Sequence, residues 1–382
     1  MRTLLVTGPG GAGASTVAAA AAVRAARSGR RTLLLSSRPV AVAGLEEIPD
    51  LAVEVVDPRT ALEQLWSAGT DAVAEMLPLL TLAPPGSIVP LPGAGEFALL
   101  AALSRADADL VVLDAGPLDA AIGLVGLPAA LRYWLGQMLP PSVRAMGAVR
   151  TSAVNYGAAK RGPADAALAL VPVVEGLLAR DRLADPGDTA VVVAALSRPA
   201  AEPALRCAAT TLGLHGLRIA TVLSRVVPGG GPGQWWAQRA AAQTQALDAF
   251  QALAPVHRVP ERAAAPVDAE SAVSVLGGWH LPEEGGFPAP RPERRGKSWS
   301  LTLPLPFAER AGVDVIRWAD DLVVTVGGAR RCMRLDALLR RCVVTGGRLH
   351  EPGTVSAALE VGFVPDPRLW PADLLAAEGR TR

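Results

Sequence analysis

Lysine is nearly missing from this chain. Of its 37 basic side chains only Lys160 and Lys297 are lysines, so a site that needs a compact ammonium has almost none to draw on. Cysteine is also scarce: Cys207, Cys332 and Cys342 form no C-x2-C pair and have no histidine at metal-ligand spacing, so zinc is not expected. Buried or partly buried small apolar residues in a reducing cytoplasm are the plain reading of all three. Aromatics make up 4% of the residues, which suits a layered α/β protein better than a β-sandwich for the bulk of the chain. Neither charge sign dominates. The net charge is +1, with basic and acidic residues interspersed, which removes the electrostatic footprint of a nucleic-acid or anionic-membrane binder. No secretory signal is read at the N-terminus, because "MRTLLVTG" runs from a short apolar stretch directly into glycines. Uninterrupted apolar runs of the roughly 18 residues that span a bilayer are absent. "MLPLLTLAPPGSIVPLP" comes nearest, and its prolines break a helix. The expectation is a cytoplasmic protein not integral to the membrane.

What is present is a 382-residue chain, half hydrophobic, long enough for two cores. "RTLLVTG", "PGGAGAST" and "VAAAAAVRAARSGR" read as strand, glycine-rich loop and alanine-rich helix with Gly29 as its stop. "RTLLLSS" and "LAVEVVD" follow as strands. Continuous apolar runs recur at "ADLVVLDAGP", "DTAVVVAALS" and "LRIATVLSRV", the pattern of strands covered on both faces. Helical spacing fills "TALEQLWSAGTDAVAEM", "ALLAALSRA", "PAALRYWLGQML" and "EPALRCAATTLGL". The fold class is therefore α/β, a mostly parallel sheet flanked by helices.

At residues 281–297, "LPEEGGFPAPRPERRGK" is dense in Pro, Gly and charge, which predicts a linker with little to bury. Beyond it, "SWSLTLPLPF", "VDVIRWADDLVVTVGGARRCMRL" and "TVSAALEVGFVP" read as short β segments with turns at "WADD" and Gly-Gly. The expected organisation is an α/β domain over 1–280, a linker over 281–297, an all-β sandwich over 298–366 and a tail over 367–382.

"TGPGGAGAST" has the outline G-x4-G-K-[ST], with Gly8, Gly13 and Ser15 in place and Ala14 where the lysine belongs. Such a loop binds phosphate by aiming backbone N–H groups and a helix N-terminus at the anion, and Gly8, Gly10, Gly11 and Gly13 permit that shape. Ser15 and Thr16 offer hydroxyls to Mg2+ and the α-phosphate. The plainer alternative is a turn that only closes a strand-helix junction. Asp114, ending an apolar strand, is either a Mg2+-linked carboxylate or a cap on the next turn.

The ordered series of motifs over residues 1 to about 280 resembles the ArsA family, deviant-Walker P-loop ATPases of the arsenite-pump and tail-anchored-protein-targeting kinds. "GPGGAGAST" stands where that family has G-K-G-G-V-G-K-T-[ST], and "PGAGEFALLAAL" resembles its P-G-x-x-E segment. "VVLDAGPLDAAIGLVGLP" follows its V-F-D-T-A-P pattern through Asp114, Pro117, Leu124, Leu127 and Pro128. The tail from Trp299 to Pro365 is similar to the small heat-shock (α-crystallin) type domain fused to some ArsA-like proteins. The resemblance implies ATP or ADP with Mg2+ as cofactor and a nucleotide-bridged dimer. It also shows what is lost. Pro9 and Ala14 replace both P-loop lysines, Arg38 replaces the water-orienting aspartate, and Ser224 replaces the asparagine that reads adenine. Trp235 and Trp236 lie where some relatives carry a zinc-binding C-x-x-C, and Asp119 lies where the family has glycine.

Phosphoryl transfer is catalysed mainly by positioned positive charge, and removing one such group costs on the order of 10²–10³ in rate. The reading is a dimeric binding or chaperone-like module with weak nucleotide binding and little or no hydrolysis. The alternative is an ATPase completed by Arg38 or by an intact ArsA-like partner chain. An arsenite-pump subunit fits poorly, since no cysteine cluster surrounds Cys207. An apolar protein client would meet "PAALRYWLGQMLPPSVRAM", although Trp134, Met138 and Leu139 at helical spacing read more readily as ordinary core.

Overall fold

The computed structural model describes residues 2–64, 66–67, 83–140, 143, 145–147, 149–150, 152, 156, 171–172, 174–283 and 285–370. Seven strands form one sheet in the order β3-β2-β4-β1-β5-β6-β7. They are β1 (Arg2–Gly8), β2 (Thr32–Ser36), β3 (Leu51–Val55), β4 (Leu110–Pro117), β5 (Thr189–Leu196), β6 (Ile219–Val226) and β7 (Val256–Pro260). The β2–β3, β2–β4, β5–β6 and β6–β7 pairs run parallel. Both faces of the central strands are covered, which is why they read as unbroken apolar runs: β2 is buried at every residue and β5 at all but its last. β7 was not anticipated. Its sequence, "VHRVP", mixes charge and proline, as an edge strand does.

Contacts divide the chain into two compact units: Met1–Val6 with Ser15–Asp185 and Pro266–Leu276, and Thr7–Ala14 with Pro186–Ala265 and Gly277–Arg382. In the first, α1 (Ala14–Arg27) buries its alanines, since side chains that short let a helix lie close on a sheet. Gly29, at φ 81°, ends it, and its N–H donates to Ala26 O at 2.8 Å. α2 (Ala94–Arg105) covers the segment that matched the P-G-x-x-E pattern. α3 (Leu118–Met138) starts directly after β4 and runs through Pro128, well ahead of the helix expected from "PAALRYWLGQML". Proline removes one helical donor there, and burial of its ring in the α3 packing face accompanies that loss. The "TALEQLWSAGTDAVAEM" helix is described only in its first half; residues 68–76 lie outside the described residues, as does Lys160.

The second unit holds α4 (Glu202–Leu214), α5 (Gln234–Gln251) and the C-terminal strands. A short helix, α6 (Ala269–Val275), belongs to the first unit and is capped by Asp268 and Ser271 in a reciprocal box. Two antiparallel sheets make up the C-terminal region. One contains β10 (Val313–Trp318), β11 (Asp321–Val326) and β12 (Ala329–Arg334), joined at the expected "WADD" and Gly-Gly turns. The other runs β13-β14-β9-β8, from Cys342–His350, Ala358–Pro365, Ser298–Pro304 and Pro292–Arg295. Alternation builds their common core: Leu322, Val324 and Val326 of β11 meet Leu359, Val361 and Phe363 of β14.

Two features depart from the expected 281–297 linker. Its residues Pro292–Arg295 form β8, an edge strand whose proline and charges suit an unpaired border. Gly285 is buried so tightly that a Cβ there would lie 2.2 Å from Pro186 O. The sandwich is also tied to α4. Leu214 joins its core, Thr210 Oγ1 donates to Pro306 O at 2.5 Å, and Arg331 Nη1 donates to Leu214 O at 2.6 Å. Residues 371–382 of the expected tail lie outside the described residues.

Candidate functional site

The glycine loop keeps a phosphate-cradle backbone. Gly8 ends β1 with no room for a side chain: a Cβ would fall 2.2 Å from Ala194 O in β5. Gly10, Gly11 and Gly13 have φ of 98°, 67° and 92°, a conformation that side-chain-bearing residues rarely adopt, and their surroundings are open. Left-handed residues interspersed in a turn expose successive N–H groups in a concave nest that suits anions. α1 then begins at Ala14. Ser15 is exposed and Thr16 half-buried, and neither hydroxyl has a partner among the described residues. Gly10, Gly11 and Gly13 hold the backbone that such a nest needs, while Pro9 and Ala14 add no charge.

Asp114 is almost fully buried on β4. Parallel register sets it against Ser36 of β2, whose Oγ donates to Oδ2 at 3.2 Å. Its other oxygen accepts the Gly116 N–H at 3.2 Å, the turn-capping role that sequence leaves as an alternative. Ser36 Oγ also accepts the N–H of Arg38 at 3.2 Å, and the Arg38 side chain is exposed. One serine thus links the aspartate to the loop that carries the substituted arginine. Ser36 was not singled out from sequence; its only signal is a serine closing the apolar strand "RTLLLSS". Among the described residues no group of three or more His, Cys, Asp or Glu side chains is placed to hold a metal ion. Asp119 is exposed in the first turn of α3, where a negative charge favours the helix dipole.

Ser224 lies in the interior of β6 with no solvent exposure. Ser197 Oγ donates to Arg225 O at 2.7 Å, so the 2.9 Å contact between the two serines has Ser224 as donor. Its proton is spent inside the protein. Arg239 Nη1 donates to Ser197 O at 2.8 Å, and Gln243 grips the residue after β6 through its Val227 N–H (2.8 Å) and C=O (3.4 Å). The following glycines wrap Trp236 closely, a Cβ on Gly231 falling 2.0 Å from its ring, and Trp235 stands edge-on at 4.8 Å. Sequence gave no warning of α5, which supplies these residues, because its apolar residues follow no clear helical stripe.

The model of the anion-transporting ATPase family matches residues 1–223, and that of the HSP20-like domain found in ArsA matches residues 296–363. The chain belongs to the ArsA ATPase family. Its C-terminal sandwich is the HSP20-like domain of that family. Among its relatives, an uncharacterized protein of Streptomyces coelicolor, SCO2128, is 34% identical over 97% of this chain and 99% of its own length. Protein Rv2184c of Mycobacterium tuberculosis is 26% identical, again over 97% of each chain.

In this ArsA-family protein the proposed client helix is less buried than a core helix. Trp134 is 59% exposed and Met138 73%, so neither belongs to the core, while Leu139 is half-buried. By length and composition alone, α3 is the one described helix suited to a membrane span, and only 28% of that window is buried. From sequence no span was expected, and the nearest apolar stretch, residues 76–92, was read as broken by its prolines; its described part, residues 83–92, contains a short 3-10 turn at Pro85–Ser87. Residues 141, 142 and 144 of the client segment lie outside the described residues.

Proposed function

We propose that this protein is a dimeric binding or chaperone-like module that holds nucleotide weakly and hydrolyses it slowly or not at all. One observation carries the reading: the loop from Gly8 to Ala14 retains its left-handed glycines while its two cationic positions are Pro9 and Ala14. Backbone N–H groups and the hydroxyls of Ser15 and Thr16 would hold the polyphosphate and Mg2+. ATP with Mg2+ supplies the charge that such a cradle binds. What the chain does not supply is the cation that stabilises charge on the transferring phosphoryl group. Base selection also weakens, because the Ser224 hydroxyl is turned to Ser197. The exposed apolar residues of α3 support an apolar protein client, and the HSP20-like sandwich supports a chaperone-like role.

A second reading has one observation in its favour. Arg38 is exposed, and its backbone is held by the same serine that holds Asp114, so it is a candidate replacement cation for an active ATPase. ATP turnover by the purified chain, alone and mixed with an ArsA-like chain carrying both lysines, separates the two. Background turnover alone is expected. Robust Mg2+-dependent turnover by the isolated chain, lost in Asp114→Ala, would refute the proposal; if Arg38→Ala abolished it too, the second reading would replace the first.

A further inference from the structure

A cavity of about 500 Å³ lies within the second unit, and no residue of the glycine loop lines it. Its wall takes Ala209 of α4, Ile219 of β6 and Leu253 from the turn before β7, all apolar and buried. Phe287, Phe307 and Val355 complete the apolar lining, with Pro255, Pro282 and Pro306 between them. The ATPase-matched and HSP20-matched segments therefore both contribute wall, a placement for which neither family description accounts.

Two observations argue that this wall is built and not a packing fault. Phe307 has φ of 62°, a left-handed arrangement that a bulky residue rarely adopts. Its N–H donates to Thr354 O at 2.7 Å, and the Arg206 guanidinium lies over its ring at 4.9 Å, so the strained residue is held from both backbone and side chain. Phe287, also in the lining, is held as well. Its N–H donates to Gly216 O at 2.7 Å, Gly286 N–H donates to Pro186 O, and Arg218 Nε donates to Gly285 O at 3.0 Å. Prolines lose no conformational freedom when a ligand arrives, so the lining is already ordered.

We propose that this cavity is a binding site for a neutral, largely apolar small molecule. The volume falls in the range of roughly 300–1,000 Å³ typical of small-molecule sites. Two charged side chains reach the lining, Arg218 and Glu283, and they are opposite in sign, so the site favours no net ligand charge. Two aromatic rings and three prolines make a surface suited to a planar body.

Nile red, a neutral planar dye that brightens in apolar surroundings, tests this on the full chain. Saturable binding with a rise in melting temperature is expected. Val355→Trp, at an exposed position on the lining, should fill the space, and Phe307→Asn should remove the ring while tolerating the left-handed backbone. Phe307→Asn should weaken binding by up to about tenfold, the scale of one lost aromatic contact, and Val355→Trp, by occupying the space, at least as much. A Trp134→Ser, Met138→Ser double variant removes two exposed apolar side chains of α3, outside the cavity lining, and should leave binding unchanged. No saturable binding by the native chain, loss of binding in the α3 double variant, or full binding by Val355→Trp would each overturn the proposal. Val355→Trp carries the test if Phe307→Asn does not fold.

Discussion

Lowering the pH from about 7.5 to about 4.5 should weaken the second unit through one histidine, His215. This residue caps the C-terminal end of α4, where its N–H donates to Leu212 O at 2.9 Å, and it is only partly exposed. Burial first, and the nearby Arg331 guanidinium second, push its pKa down from 6.5 to about 4. Above pH 6.5 the ring is neutral both folded and unfolded and contributes nothing to the pH dependence. Between 6.5 and about 4 the unfolded chain takes up a proton that the folded chain refuses, so stability falls as pH falls, and the loss levels off below the folded value. At ~1.4 kcal/mol per pH unit, two units below the unfolded pKa give at most ~3 kcal/mol; the ring's remaining solvent contact reduces that to about 2 kcal/mol. Urea unfolding of the full chain, followed by tryptophan fluorescence at both pH values, measures it against His215→Gln. Carboxylates that titrate in the same range act on both proteins equally, so the difference between them isolates the imidazole. Equal losses in the native chain and the variant would refute the assignment.

Three further expectations follow from the geometry. Gly8→Ala should destabilise the chain by roughly 1–3 kcal/mol or more in denaturant unfolding, because its Cβ would meet Ala194 O at 2.2 Å; no change would mean that β1 and β5 are more widely spaced there. Ala14→Lys should tighten ATP binding by about 1.5–3 kcal/mol in calorimetry, the scale of a charge-assisted hydrogen bond; tight, ATP-selective binding by the native chain would show that another group already does the lysine's work. A fragment spanning residues 292–370 should melt below the sandwich in the full chain, since it lacks Leu214 in its core and the Thr210 bond to Pro306; an equal melting temperature would restore the sandwich as an independent unit.

Periodicity and punctuation carried much of the fold. Strands β1, β2, β4, β5 and β6 appear as apolar runs because burial on both faces leaves no polar alternation to confuse, and β11 and β14 appear through the strict alternation of one buried face. Where the local signal was mixed, the reading failed for a physical reason. α3 extends through Pro128, which local rules treat as a boundary, and α5 has too few apolar residues in register to announce itself. β8 carries the proline and charges of a linker because an edge strand tolerates the same residues.

By itself the sequence determined the chemistry that is absent. A loop without lysine at positions 9 and 14 lacks those charges whatever its conformation, and residue identity alone decides that. Tertiary structure decided what the remaining polar groups do. Sequence left Asp114 as a Mg2+-linked carboxylate or a turn cap and Ser224 as a substitute for an adenine-reading asparagine; their partners, Ser36 and Ser197, lie 78 and 27 residues away and become neighbours only through the pairing of strands. The same holds for the cavity lined by Phe287 and Phe307, whose wall joins segments from α4 to the loop before β14. Hydrogen bonds and enclosed volumes depend on distances across the fold, and no local pattern of residues records those distances.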